Sequence, residues 1–166
     1  DCLIDQAQKF PEEGFIGCDP FMNGNLNIAK KIKDFSIKNI LITNVTFLCF
    51  FKSIKNIYFS KLFILFPDPW PKKRHKKRRL INKEFTDYIA QILVNNGKVI
   101  IITDHRDYQK NILISFESST KFKLVKSLKQ KKLFFDNIFE TKYYKKAISK
   151  NTYIHHSLYR LVEKNS

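Results

Sequence analysis

Along the chain, short apolar runs alternate with stretches whose apolar residues recur every three or four positions. Leu3, Ile4, Ala7 and Phe10 have helical spacing, and Pro11 stops the turn. Gly14–Asp19 reads as a short buried strand, Asn25–Phe35 as a helix and Asn39–Thr43 as the next strand. Val45–Ile54 is apolar all round, so periodicity leaves helix and strand both open. Ile57–Phe66 holds the strongest strand, and Pro67-Asp68-Pro69-Trp70-Pro71 follows it. Those prolines forbid helix and sheet interior alike. Asn82–Leu93 is an amphipathic helix with Phe85, Ile89, Ile92 and Leu93 on one side, and Asn95-Asn96-Gly97 is the turn after it. Lys98–Thr103 reads as a buried strand, Asp107–Phe116 as a helix, and Phe122–Val125 and Tyr153–Val162 as closing strands.

Strands alternating with helices predict an α/β fold, a mostly parallel sheet covered by helices on both faces. At 166 residues the chain suits one domain, 1–166. In such sheets ligands bind beyond the carboxyl ends of the strands. Asp19, Asp68 and Asp104 each follow an apolar strand directly or within two residues. Taken singly, each reads as a helix N-cap or turn aspartate. Three at one sheet edge point to a site.

Charge sharpens the picture. The formal net charge is +16, and it is uneven: residues 1–60 carry seven Lys/Arg against six Asp/Glu, residues 61–166 twenty-four against nine. Such an excess favours a polyanionic partner. Compositional drift accounts for scattered lysines but poorly for the run Lys72-Lys73-Arg74-His75-Lys76-Lys77-Arg78-Arg79. Cys2, Cys18 and Cys49 are odd in number, widely spaced and without a C-x-x-C, so neither a disulfide framework nor a zinc site is expected. A reducing cytoplasm fits. The longest apolar run, Val45–Phe51, is far too short to span a membrane.

The most informative stretch runs from Leu65 to Arg79. Prolines fix the direction of Asp68 and reduce the entropy of the unfolded loop. Trp70 offers a flat face on which a base can stack, worth about 1–3 kcal/mol. Each phosphate neutralised by the cations behind it releases counterions, so binding weakens steeply with salt. Taken alone, the basic run is equally a solvated face or targeting signal, and Trp70 a packing anchor. Their fusion to a proline-locked Asp at a strand end is more specific.

Phe66-Pro-Asp-Pro-Trp-x-Lys-x-Arg-His-x-Lys-Arg-Arg79 resembles the signature of bacterial tRNA (guanine-N(7)-)-methyltransferases. Phe15-Ile-Gly-Cys-Asp19-Pro-Phe-x-Asn-Gly24 is similar to the family segment after its second strand, Thr103-Asp104 to its later strand-end aspartate, and Thr141-Lys142-Tyr143 to its C-terminal motif. The resemblance covers nearly the whole chain. It implies a Rossmann-like class I methyltransferase that uses S-adenosylmethionine to methylate a variable-loop guanine of tRNA, as a monomer or homodimer, with no metal. By motif matching, Asp19 contacts the donor's ribose hydroxyls and Asn44 its adenine region. Asp68 sits at the reaction centre, shared by donor and guanine. Lys72, Asp104, Thr141, Lys142, Tyr143 and Tyr144 contact substrate. Trp70 and Arg74, His75, Lys76, Lys77, Arg78 and Arg79 hold the RNA.

The chain departs from that pattern in three places. The family's Glu-Ile-Gly-x-Gly-x-Gly loop is absent, and Asp1-Cys2-Leu3 resembles the family segment directly after that loop. An N-terminal truncation is therefore expected, leaving this chain inactive or nearly so. Asn44 stands where an acidic residue is common, and Tyr144 where Glu is expected. The alternative is a non-catalytic RNA-binding fragment or degenerate paralogue, which charge and Trp70 would serve equally. A membrane-surface protein held by the basic run has no amphipathic or lipidated segment behind it.

Overall fold

The computed structural model describes residues 2–130 and 141–162. They divide into two compact units, one of residues 2–56 with Thr141, the other of 57–130 and 142–162.

The first unit is α1 (Cys2–Lys9), β1 (Phe15–Cys18), α2 (Met22–Asp34), β2 (Ile40–Thr43) and α3 (Phe47–Ser53). β1 and β2 pair in parallel from Phe15↔Ile40 to Cys18↔Thr43. α1 buries Ile4 and Ala7, the residues whose spacing predicts it. Its exit is fastened by Asn39, whose Nδ2 donates to the carbonyls of Ala7, Phe10 and Glu13 at 3.0, 3.1 and 2.9 Å. Gly17 leaves room for α1: a Cβ there would lie 2.7 Å from Leu3 Cδ2, so the Leu3 side chain would have to turn aside. The ambiguous Val45–Ile54 stretch is helical. Thr46 accepts a hydrogen bond from Cys49 N at 3.3 Å, which decides the helix start that periodicity left open.

The second unit holds β3 (Phe59–Leu65), a 3-10 helix (Lys73–Arg78), α4 (Lys83–Ile92), β4 (Leu93–Thr103), α5 (Arg106–Glu117), β5 (Phe122–Gln130), α6 (Lys142–Ser149) and β6 (Ile154–Leu161). Its sheet order is β3-β4-β6-β5. β3 and β4 are parallel, whereas β6 runs antiparallel to both β4 and β5. The expected mostly parallel sheet is thus mixed on this side. The core is Ile64, Val99, Ile101 and Ile102 of the sheet with Phe85, Ile89, Tyr108, Ile112 and Phe116 of the helices. Phe116 stacks on Tyr159 with centroids 3.8 Å apart.

Caps set the helix starts: Asn82 accepts from Phe85 N at 2.8 Å, and His105 Nδ1 from Tyr108 N at 3.2 Å. Two elements lie outside the sequence expectations. The basic run is helical, and 142–149 form α6, which buries Tyr144 and Ala147. β5 also continues past Val125 to Gln130, beyond a register shift between Leu124 and Lys126.

Candidate functional site

Each unit ends its parallel strands in a polar edge. In the first, Asp19 and Asn44 directly follow β1 and β2, and Asp19 N donates to Thr43 O at 3.2 Å. They are therefore side by side on adjacent strand ends, both exposed. Asp19 Oδ1 accepts the Phe21 amide at 2.9 Å, which aims the carboxylate. Buried Asn25 holds both strand ends by donating to Asp19 O at 2.6 Å and Thr43 O at 3.5 Å. The edge thus presents one oriented carboxylate and one uncharged amide.

In the second unit, the last rung of β3 is Phe66 N donating to Ile102 O at 2.7 Å. Pro67 has no N–H, so pairing stops there. Phe66 (φ 51°) and Trp70 (φ 41°) both lie in the left-handed region, and each precedes a proline. Such conformations cost roughly 1–3 kcal/mol each and persist only when neighbours hold them. Tyr143 holds Phe66, ring on ring at 6.2 Å. His75 meets Trp70 edge-on at 6.0 Å, and the Arg78 guanidinium lies 5.1 Å from its ring centre. Between the two strained residues, exposed Asp68 accepts no hydrogen bond or ion pair among the described residues. Asp104 follows β4, the neighbouring parallel strand, and is likewise exposed. These two carboxylates share one sheet edge. Asp19 lies in the other unit.

The 3-10 geometry sorts the basic run, because residues three apart eclipse one another. His75 and Arg78 form the row against Trp70. Lys76 and Arg79, one step past the helix, form the row against Asp107 in the first turn of α5. Lys76 Nζ lies 2.8 Å and Arg79 Nη2 2.6 Å from Asp107 Oδ2. Hydrogen bonds from Lys76 and then Arg79 lower the Asp107 carboxyl to about 2. Arg74 and Lys77 form the third row, exposed and without an ion pair among the described residues. Lys72 is exposed in the same way.

Two residues expected to touch RNA (Arg79) or substrate (Tyr144) are buried in the structure. Arg79 is only 4% exposed. Its guanidinium donates to Pro69 O at 2.9 Å, Asn111 Oδ1 at 3.1 Å and Asp107, and lies over the Tyr108 ring. It fastens the Asp68 loop from within and has no face left for a phosphate. Tyr144 is buried, because its place on α6 turns it to the core while Lys142 and Tyr143 face out. Thr141, half-buried, immediately precedes α6. Sequence reasoning missed the positioning residues Asn25, Asp107 and Asn111. Asp107 and Asn111 meet Arg79 from 28 and 32 positions away, and Asn25 bridges two strand ends whose pairing is set by the fold.

Among the described residues, no His, Cys, Asp or Glu group could hold a metal, and no helix is long and apolar enough to cross a membrane.

Comparisons with known proteins bear on the family and the fold. The family model Methyltransf_4, described as "Putative methyltransferase", matches residues 1–157. A tRNA (guanine-N(7)-)-methyltransferase of Wolbachia pipientis wMel is 34% identical over 88% of this chain and 63% of its own length. A bifunctional methyltransferase of Rickettsia felis is 33% identical over 90% of this chain and 28% of its own. The chain thus spans less than two thirds of both. Among solved structures, a precorrin-6y C5,15-methyltransferase of Geobacter metallireducens GS-15 superposes with TM-score 0.62 at 11% identity, covering 95% of this chain and 72% of that one. The N-methyltransferase NodS of Bradyrhizobium japonicum WM9, in complex with S-adenosyl-L-homocysteine, gives 0.58 at 8%, covering 90% and 67%. At such identities the likeness concerns the Rossmann-like methyltransferase fold.

Proposed function

The chain belongs to the Methyltransf_4 family of methyltransferases, and on that premise we propose that it methylates nitrogen 7 of a variable-loop guanine in tRNA. The observation that carries the reading is the loop after β3. There an unpaired, exposed carboxylate stands between two held, left-handed residues and leads straight into a cationic helix. The first relative is named a tRNA (guanine-N(7)-)-methyltransferase.

S-adenosylmethionine, when bound, supplies a methyl group already activated by its sulfonium charge. Asp19 and Asn44 suit its adenosine part. The Phe21 amide orients the Asp19 carboxylate toward a diol, and the Asn44 amide can both donate and accept. Nitrogen 7 of guanine carries a lone pair and no proton, so no general base is needed. The protein must instead align the base. Asp68, exposed and unpaired among the described residues, can accept hydrogen bonds from the donor edge of guanine. These strengthen as the ring becomes cationic, which is stabilisation specific to the transition state. Asp104, on the adjacent strand end, and Lys72 flank it. The Arg74–Lys77 row takes phosphates and Trp70 supports the loop. Three free thiols and a tRNA substrate suit a reducing cytoplasm.

The test is methyl transfer from labelled donor to unmodified tRNA, with digestion to identify the product. In a protein that also carries the family's Gly-rich loop, wild type should yield 7-methylguanosine, residues 1–166 alone little or none, and Asp68→Asn should lower kcat by about 10²–10³ with little change in tRNA affinity. A protein that binds tRNA tightly yet binds no S-adenosylhomocysteine would instead support the non-catalytic RNA-binding reading.

A further inference from the structure

One group of cations belongs to neither edge described above. Lys61 of β3 pairs with Lys98 of β4, Lys98 with Arg160 of β6, and Arg160 with Lys123 of β5. Directly opposed residues project from the same face of a sheet. Four cations therefore form one unbroken row across all four strands, toward the amino-terminal ends of β3 and β4. With strands about 4.8 Å apart, the row is ~14 Å long. All four residues are exposed. Lys98, Lys123 and Arg160 have no ion pair with any described residue. Nearby Lys121 is bound to Asp87 at 2.9 Å.

Like charges placed directly opposite one another oppose sheet formation. The arrangement is unfavourable in the free protein and becomes favourable against a matching anion. A row, unlike a cluster, matches a linear polyanion. A nucleic-acid duplex carries roughly one charge per 1.7 Å of axis, so a strip of this length faces several phosphates. Lys98 lies five residues from Thr103, the strand end beside Asp104, or about 17 Å of extended chain. The row is thus remote from the carboxyl-edge carboxylates.

We propose that Lys61, Lys98, Lys123 and Arg160 form a second RNA-backbone site, which grips the phosphates of a tRNA stem distant from the base being methylated. This rests on the tRNA reading above. The row would give a folded RNA two separate contacts on the second unit, one at the cations after Asp68 and one at the row itself.

The test is titration of a tRNA transcript over a range of salt, with wild type and the triple variant Lys98→Gln, Lys123→Gln, Arg160→Gln, followed by methyl-transfer kinetics. At roughly 0.7–0.9 per phosphate contact, the slope of log affinity against log salt should fall by about two to three. KM for tRNA should rise and kcat should stay within about twofold. Lys123→Gln alone should lower the slope by about one. Thermal stability of either variant should be unchanged or higher, because repulsion is removed. An unchanged slope overturns the second site and leaves the tRNA reading standing. So does a fall in kcat equal to the rise in KM, since a remote anchor cannot act on the chemical step. If wild type binds S-adenosylhomocysteine but no tRNA at any salt, both readings fall together.

Discussion

Replacing Arg79 by Met separates an internal anchor from an RNA contact. The guanidinium reaches Pro69 O, Asn111 Oδ1 and Asp107 Oδ2 at 2.9, 3.1 and 2.6 Å and lies 4.8 Å from the Tyr108 ring centre. Met keeps much of the volume but none of these bonds. Stranding the Pro69 carbonyl and the Asn111 amide costs about 1–3 kcal/mol. Loss of the cation–π contact adds ~0.5–2 kcal/mol. Asp107 is left out of the sum, because it is half-exposed and keeps Lys76. The total is about 1.5–5 kcal/mol, or roughly 3–20 °C in Tm for a chain of this size. Arg79→Lys should recover only part of it, since a single ammonium cannot reach three divergent acceptors. The assays are thermal unfolding by circular dichroism and the salt dependence of tRNA binding. Arg74→Gln is the control and should do the reverse: an unchanged Tm, and a salt slope smaller by about 0.7–0.9. An Arg79→Met protein that melts within about 2 °C of wild type but shows the reduced slope would refute the internal role.

Acid should loosen the same anchor. A carboxylate held below its ordinary value of about 3.9 stabilises the folded state above that pH. The contribution disappears as pH falls toward about 2, where Asp107 takes its proton. Trp70 is the sole tryptophan and rests on His75 and Arg78 of the tethered helix, so its fluorescence should shift between pH 4 and 2 as roughly one proton binds. In Asp107→Asn that component should be missing, and identical titrations would refute the coupling. Burial raises the Cys18 thiol to about 11, so at pH 8 iodoacetamide should label exposed Cys49 well before Cys18; equal labelling by mass spectrometry would count against this packing. At Gly97 an added Cβ would lie 2.8 Å from Val94 O, so Gly97→Ala should destabilise by about 1–3 kcal/mol in denaturant unfolding. Unaltered stability would mean that this part of β4, where the sequence predicts a turn, yields freely.

Much of the fold was legible because its signals are local. The spacing of Phe85, Ile89 and Ile92 announces α4, and the run Val99–Ile102 announces β4. Three prolines mark where β3 must end. Alternation also marks β6, but not its direction. Antiparallel entry between β4 and β5 depends on which edges are free once the other strands have paired. Helix α6 was missed because it buries only Tyr144 and Ala147, too sparse a stripe to stand out among lysines.

By itself, the order of residues determined where the candidate carboxylates fall, at strand ends, because strand length and proline placement are properties of neighbouring residues. It also determined that a cationic stretch follows Asp68. Tertiary structure alone decided what each cation does. Arg79 turns inward because Asp107, 28 positions later, starts a helix beneath it. Lys98, Arg160 and Lys123 become neighbours only when β6 inserts between β4 and β5. Charge is written residue by residue, but pairing, burial and repulsion depend on distances in space, and those exist only once the sheet has closed its register.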